Sequence, residues 1–345
     1  MVKIKAGIVG LGRSGWDIHI HLLEQLKDKY QIVAVCDANQ SRREEAEKKF
    51  NCKSYVDLIS LLKDKEVELV IIATPSHLHS QNAIESLKAG KNVVCEKPMA
   101  TTLKDADLMI ETAKKENKIL TVFHNRRYAP DFLKVREVIN SGKLGRIVLI
   151  KMSWNGFARR WDWQTLKKFG GGTLNNTGPH AIDQALHLFG SKEEPEIFCH
   201  LEKTLTLGNA EDHIKIIFKG KKSPMLDLEI SSACAYPQDL WLVMGTQGGL
   251  RGGSNELYWK YFNPAKLSPR KVETTPTPDR GYNSEQIVWE KEESWKLSED
   301  RTPGQLGFYI DLHNIIVNNA LPFVTSESAR RVMCVIEKCH QMSGV

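Results

Sequence analysis

Three short stretches of this 345-residue chain combine reactive side chains with permissive backbone. The first is GIVGLGRSGWD, in which Gly10, Gly12 and Gly15 keep a G-x-G-x-x-G spacing around Arg13 and Ser14. Gly10 permits a tight turn, Gly12 lets backbone approach a pyrophosphate, and Gly15 allows a helix to pack closely on the preceding strand. Free N–H groups at the helix start then hold the phosphates. Asp37 closes VAVCD, 22 positions beyond Gly15. A carboxylate there accepts from both ribose hydroxyls of NAD and repels a 2′-phosphate, so NAD is the expected cofactor. Arg42 and Arg43 follow it; they either tolerate NADP or belong to a charged surface helix.

The second stretch is CEKP, residues 95–98, at the end of the apolar run NVVC. A lysine at the carboxyl edge of a parallel strand points into the crevice where such sheets bind ligands. Pro98 disfavours helix at Lys97.

The third is GGGTLNNTGPHAIDQ, residues 170–184. Pro179 suits the first turn of a helix, because its missing N–H costs nothing there. A helix from Pro179 to Phe189 buries Ile182, Ala185, Leu186 and Phe189, and sets His180, Asp183, Gln184 and His187 on the opposite face. A solvated polar face is expected for His187. Asp183 orients His180, sits beside a pocket, or balances charge near the helix start. The three glycines are expected to let backbone pass close to cofactor and substrate. Just before them, Trp161, Asp162, Trp163 and Gln164 interleave aromatic planes with polar groups, as sugar pockets do.

The elements that must carry these residues are legible in outline. Continuous apolar runs at Ile4–Val9, Ile32–Cys36, Leu69–Thr74, Asn92–Cys95 and Ile119–Phe123 read as strands covered on both faces. Helical patterns near 15–27, 41–50, 56–64, 78–89 and 103–117 alternate with them. The alternation predicts an α/β fold opening with a doubly wound parallel sheet over residues 1–123. From 124 to 345 the texture changes. A helix is expected over 131–141, followed by longer alternating strands at Ile147–Ser153, Glu196–Leu205, His213–Lys219, Met225–Ser231 and Leu240–Gly245, which read as antiparallel. Residues 263–283 carry four prolines and read as an excursion from the sheet, and helices near 304–319 and 326–342 close the chain.

Composition narrows the function class. The chain is 41% hydrophobic and 26% charged, with a net charge of +6 spread among acidic neighbours, so a nucleic-acid partner is not expected. Seven scattered cysteines without a C-x-x-C pair fit a reducing compartment. No apolar run reaches the roughly 18 residues of a membrane span, and MVKIKAGIVGLG reads as a strand, not a leader. A cytoplasmic protein without membrane attachment is expected. His77 and His79 form a His-x-His pair without a nearby third ligand, so no metal site is expected.

Taken together, GIVGLGRSG, Asp37, ATPSHLH (73–79), CEKP, HNRRYAP (124–130) and GGGTLNNTGPHAID resemble the Gfo/Idh/MocA family, which includes glucose-fructose oxidoreductase and inositol dehydrogenase. The resemblance spans residues 7 to 183. It implies an N-terminal Rossmann dinucleotide-binding domain and a C-terminal α/β domain with a large open mixed, mainly antiparallel sheet. Homodimers or homotetramers built through that sheet are implied, as are bound NAD(H) or NADP(H) and a sugar-like alcohol as substrate. Lys97 would lie near the nicotinamide and stabilise developing alkoxide charge. His180 would be the catalytic acid/base. Thr74, Pro75, His77, His79 and Glu96 would line the cofactor side, with Arg126, Arg127 and Tyr128 approaching the substrate beside Trp163. For the arginines a structural ion pair between domains stands as the other reading. The commoner family pattern has aspartate where this chain has Asn176. Either Asn176 positions the substrate and the chemistry runs on His180 and Lys97, or the site only binds. A dehydrogenase acting on a secondary hydroxyl of a sugar, glycoside or cyclitol is therefore expected, with redox-assisted glycoside cleavage or a non-catalytic NAD-binding regulator as alternatives.

Overall fold

The computed structural model of the chain describes residues 2–191, 193–277, 280–298 and 304–343. Six strands make the first sheet: β1 (Ile4–Val9), β2 (Tyr30–Cys36), β3 (Lys53–Tyr55), β4 (Leu69–Ile72), β5 (Asn92–Cys95) and β6 (Leu120–Val122). All their pairings are parallel, in the order β3-β2-β1-β4-β5-β6. In this doubly wound order the chain direction switches between β1 and β4, and a crevice opens beyond their carboxyl ends. Both flanking loops carry predicted cofactor residues. Strand β3 was not anticipated: KSY is three residues long, polar and at the sheet edge.

A π-helical stretch, Ser14–Ile20, leads from β1 into α1 (His21–Gln25). Helices α2 (Gln40–Phe50), α3 (Leu58–Leu62), α4 (His79–Lys88) and α5 (Leu103–Lys115) complete the crossovers. Asn39, Asp57 and Thr102 each cap one of them by accepting a backbone N–H.

The second sheet has eight strands: β7 (Ile147–Asn155), β8 (Glu196–Glu202), β9 (His213–Lys219), β10 (Met225–Ser231), β11 (Trp241–Gly245), β12 (Gly248–Gly252), β13 (Glu256–Tyr261) and β14 (Glu293–Lys296). Their order is β14-β13-β12-β11-β7-β10-β9-β8. Among the described residues only the β7–β10 pair is parallel, so the sheet is mixed and mainly antiparallel. Three of these strands lacked a clear signal. They are β12, whose GGLRG has too few side chains to show a period, β13, and β14, which lies beyond the proline-rich excursion; among the described residues that excursion holds a short 3-10 turn, Pro264–Lys266.

One face of the second sheet is covered. Ile150, Met152, Ile214, Ile216, Phe218, Leu226, Leu228 and Trp241 are buried in a core shared with α8 (Gly178–Phe189) and α10 (Ser326–Met342). The preceding helix α6 (Pro130–Asn140) connects the two sheets, and the short α7 (Thr173–Asn176) leads into α8. Helix α9 (Gly304–Asn318) returns to the first sheet instead: Leu306, Phe308, Tyr309 and Leu312 share a core with Ile4, Ile8, Leu23 and Val94. The chain beyond residue 124 thus serves both sheets. No helix among the described residues is long and apolar enough to cross a membrane, and all seven cysteines are free thiols.

Candidate active site

The glycine loop after β1 has the form a diphosphate requires. Gly10 sits at φ +93°, and a Cβ there would meet the Ala73 carbonyl at 2.6 Å. A Cβ on Gly15 would collide with the Gly10 carbonyl, whereas Gly12 faces open space with nothing within 4 Å. Two glycines therefore close the turn against β4 and the helix, and the third leaves room for a ligand. Asp37 holds the loop in place: Leu11 N–H donates to its Oδ2 at 2.7 Å and Asn39 N–H to its Oδ1 at 2.8 Å. Arg42 Nη1 stands 3.6 Å from the same carboxylate. Arg43 is turned inward and donates to the Asp37 and Ala38 carbonyls at 2.8 and 3.1 Å.

Beyond β4, Thr74, Pro75 and His77 remain accessible at the crevice. His79 does not. It is buried, with Nδ1 2.7 Å from the Pro98 carbonyl and Nε2 2.9 Å from the Thr74 carbonyl. It braces the two loops against each other, which corrects the expectation that it faces the cofactor.

Lys97 follows β5 and reaches across to α7, where Nζ donates to the Asn176 carbonyl at 3.0 Å and to Asn176 Oδ1 at 3.3 Å. The Asn176 amide in turn donates to Gln164 Oε1 at 3.2 Å, an oxygen that also accepts from Arg160 at 2.6 Å. Asparagine suits this position because it accepts on one side and donates on the other. Burial lowers the Lys97 pKa; Glu96 opposes this, and Arg13, Arg160 and Arg126 add to it.

Glu96 anchors a second, deeper chain. Lys97 N–H donates to Glu96 Oε2 at 3.0 Å, and His19 Nε2 lies 3.2 Å from Glu96 Oε1. On its other side His19 Nδ1 is 2.6 Å from the Tyr309 hydroxyl. Burial alone would raise the Glu96 carboxyl, but the His19 contact and the nearby Lys97 and His79 charges outweigh it and bring it down to about 2.

His180, in the first turn of α8, faces the same cleft of ≈ 310 Å³ as Lys97, Asn176 and Arg126. Its Nδ1 is buried without a protein partner. Burial holds its pKa well below 6.5, and the charges of Lys97, His124 and Arg126 act in the same direction. The imidazole is therefore neutral near pH 7, the state a proton acceptor needs.

Other expectations need correction. Arg127 and Asp183 do not line this cleft. They form a buried bidentate pair at 2.7 and 2.5 Å, and Arg127 also donates to the Phe323 carbonyl and the Ser328 hydroxyl. Arg127 thus makes a structural ion pair, though within residues 124–345 and not between domains, and Asp183 is its partner and not a group beside the substrate. Tyr128 donates to Asp311 Oδ2 at 2.8 Å and packs edge-on against Phe308 and Phe323, so it ties α9 to the domain junction. The polar face of α8 is not solvated: Gln184 donates to the Arg126 carbonyl at 2.8 Å, and His187 lies between the Phe132 and Phe323 rings. In the glycine triplet, Gly170 and Gly171 border a small cavity with Lys97 and Asn176, while Gly172 is packed against protein. Gly172, at φ +110°, has no room for a Cβ beside the Glu211 carboxylate, which accepts the Leu174 N–H at 3.0 Å.

Trp163 stays half-exposed at the rim, where a small cavity also touches Lys97, Gln164 and Asn176. Residues that sequence reasoning passed over also line the main cleft: Asn125, Trp154 and Gln305. They come from three separate elements, and only the fold brings them together. Asn125 lay inside HNRRYAP and was within reach of a closer reading of that motif.

The comparisons with known proteins agree with this architecture. Residues 4–124 match the family model described as "Oxidoreductase family, NAD-binding Rossmann fold", and residues 132–251 match "GFO/IDH/MocA C-terminal domain". The scyllo-inositol 2-dehydrogenase (NADP(+)) IolW of Bacillus subtilis is 38% identical over 310 residues, covering 81% of this chain and 83% of the relative. The myo-inositol 2-dehydrogenase of Thermotoga maritima is 28% identical, covering 71% and 74%. The solved structure of an NAD-binding protein from Listeria innocua superposes with a TM-score of 0.81 at 26% identity, covering 100% of this chain and 98% of that one. The glycine loop, the two-sheet fold and these matches make the chain a member of the GFO/IDH/MocA family of NAD(P)-dependent oxidoreductases.

Proposed function

We propose that the chain oxidises a secondary hydroxyl of a sugar, glycoside or cyclitol, with NAD as cofactor. The observation that carries this reading is the convergence of Lys97 and the unpartnered His180 imidazole on one cleft at the carboxyl ends of the parallel strands. The inositol dehydrogenases among the relatives support a polyol substrate.

The bound nicotinamide supplies the hydride acceptor. Gly10, Gly12, Arg13, Ser14 and Gly15 hold the diphosphate, and Asp37 faces the adenosine ribose, with Thr74, Pro75 and His77 along the crevice. His180 takes the hydroxyl proton of the substrate. Lys97 donates to the same oxygen and stabilises the charge that develops there. Asn176 keeps Lys97 in position through two acceptors. Arg126 and Trp163 contact the sugar. Asp37 supports NAD over NADP. Arg42 is the side chain placed to favour a 2′-phosphate, and the Bacillus subtilis relative is named for NADP(+), so KM for the two cofactors must be compared directly. A clear preference for NADP overturns this part.

The open face of the eight-stranded sheet, where Leu242, Met244 and Tyr258 border a shallow depression, supports a homodimer or homotetramer. The free thiols suit the cytoplasm.

A screen of sugars and inositols by NADH absorbance tests the main reading. Wild type should reduce NAD with at least one polyol. His180→Ala and Lys97→Ala should each lower kcat by about 10²–10⁴-fold, the usual share of a positioned acid/base group. Full activity in His180→Ala would remove it from the mechanism.

A further inference from the structure

The cleft carries more positive charge than a neutral polyol calls for. Arg13, Lys97 and Arg126 line it, and among the described lining residues Glu96 is its one carboxylate. That carboxylate is already engaged by the Lys97 N–H and by His19. Asn176, the residue that receives the Lys97 ammonium, contributes no charge. Arg160 stands behind Gln164 and is paired with Asp162 at 2.9 Å, so it adds little net field.

Arg13 belongs to the glycine loop and has the cofactor diphosphate as its natural partner. Arg126 has none. It is exposed, and among the described residues it makes no ion pair and no side-chain hydrogen bond; its guanidinium lies 5.8 Å from the centre of the Trp154 ring. Besides His180 Nδ1, two more buried polar atoms of cleft-lining residues lack partners, Trp154 Nε1 and Asn125 Oδ1. Leaving such a group unpaired costs about 1–3 kcal/mol, so their clustering marks a place for a polar ligand. Arg126, Asn125 and Gln305 also border an adjoining cavity of ≈ 400 Å³, so the guanidinium stands between two chambers. Among the described residues the one acid lining that second chamber, Asp131, accepts the Trp241 indole N–H at 2.8 Å. A planar guanidinium with free donors matches a carboxylate or phosphate in bidentate fashion.

We propose that the substrate carries an anionic group, a carboxylate or a phosphate monoester, that Arg126 binds beside the reacting carbinol. This rests on the dehydrogenase reading but is tested by binding and not by turnover. Calorimetric titration of the enzyme–NADH complex would compare hexuronates and hexose phosphates with neutral methyl glycosides of the same configuration and with myo-inositol. At least one anionic sugar should bind tenfold or more tightly than its neutral counterpart, and added salt should erode the preference. Separate uronate and phosphate arms tell which anion is preferred. Arg126→Gln should collapse the preference at least fivefold and Arg126→Lys should restore part of it, with NADH affinity little changed. Arg126 is exposed, so neither substitution disturbs a core.

Equal or weaker binding of every anionic sugar overturns the proposal. So does an equal loss for charged and neutral sugars in Arg126→Gln, or a loss confined to NADH, which would assign Arg126 to the cofactor. A neutral sugar that is preferred and oxidised sinks this proposal alone. An anionic sugar bound through Arg126 but never oxidised sinks the dehydrogenase reading alone.

Discussion

Asn176 sets the electrostatics around both proposed catalytic groups. It accepts from Lys97 without adding charge, so burial and the neighbouring arginines keep the pKa of Lys97 low, and burial with Lys97, His124 and Arg126 keeps that of His180 low. Asn176→Asp would place a carboxylate against the ammonium and near the imidazole. An opposite charge within about 4–6 Å favours the protonated form of each. A neutral His180 is the active form, so activity is lost as pH falls through its pKa. Because that pKa lies well below 6.5, the acid limb of kcat/KM in wild type should fall below pH 6.5. In Asn176→Asp it should move upward by on the order of one unit. A pH profile from 4.5 to 9 checks this, and an unmoved acid limb would show that His180 does not set it. At this scale the glycine loop was legible from its spacing, and Lys97 and His180 stood out through the motifs that carry the family resemblance. Arg127 and Asp183 were not legible as a pair. They lie 56 positions apart, and nothing in either local pattern shows that their side chains meet in the interior.

At the scale of elements, the site depends on two buried polar assemblies that lock helices to strands. The Arg127–Asp183 pair joins the segment after β6 to α8, and its further bonds to Phe323 and Ser328 bring in the start of α10. Arg127→Met leaves the Asp183 carboxylate buried and uncompensated, which should cost about 3–5 kcal/mol in urea unfolding. Arg127→Met combined with Asp183→Leu should recover much of that loss, because no lone charge remains. The second assembly, Tyr309–His19–Glu96, connects α9 to the end of β5. Tyr309→Phe keeps the ring packing and the Tyr30 bond to the Tyr309 carbonyl, yet leaves His19 Nδ1 unpaired. A loss of about 1–3 kcal/mol is expected. Unchanged stability would mean that the hydroxyl is dispensable. The parallel strands were readable because continuous apolar runs announce a sheet covered on both faces. The return of α9 to the first sheet was not, because an amphipathic helix does not name the surface it covers.

For the whole molecule, these buried histidines make acid the expected route to unfolding. Burial pushes His124 and His187 down to about 4, against an ordinary value of 6.5. Between those two values the unfolded chain binds protons that the native state refuses, so stability falls as pH drops from 6.5 towards 4. For the fully buried His124 alone the loss amounts to roughly 3 kcal/mol by pH 4. Glu96 acts in a lower window. Its native pKa of about 2 contributes stability that is complete above 4.5 and disappears as pH falls through 2. Melting temperature should therefore hold near neutrality, decline from about pH 6.5 and fall further below pH 4.5. His124→Gln should make the first decline shallower, with His187, His180 and His79 still contributing to it, and leave the second. His124 is buried at the junction between β6 and α8, with Asp183 and, more weakly, Glu96 favouring its charged form. Loss of the proton refusal at that one position would thus report on packing between the two halves of the molecule. A decline unaltered in His124→Gln would place the acid-sensitive groups elsewhere.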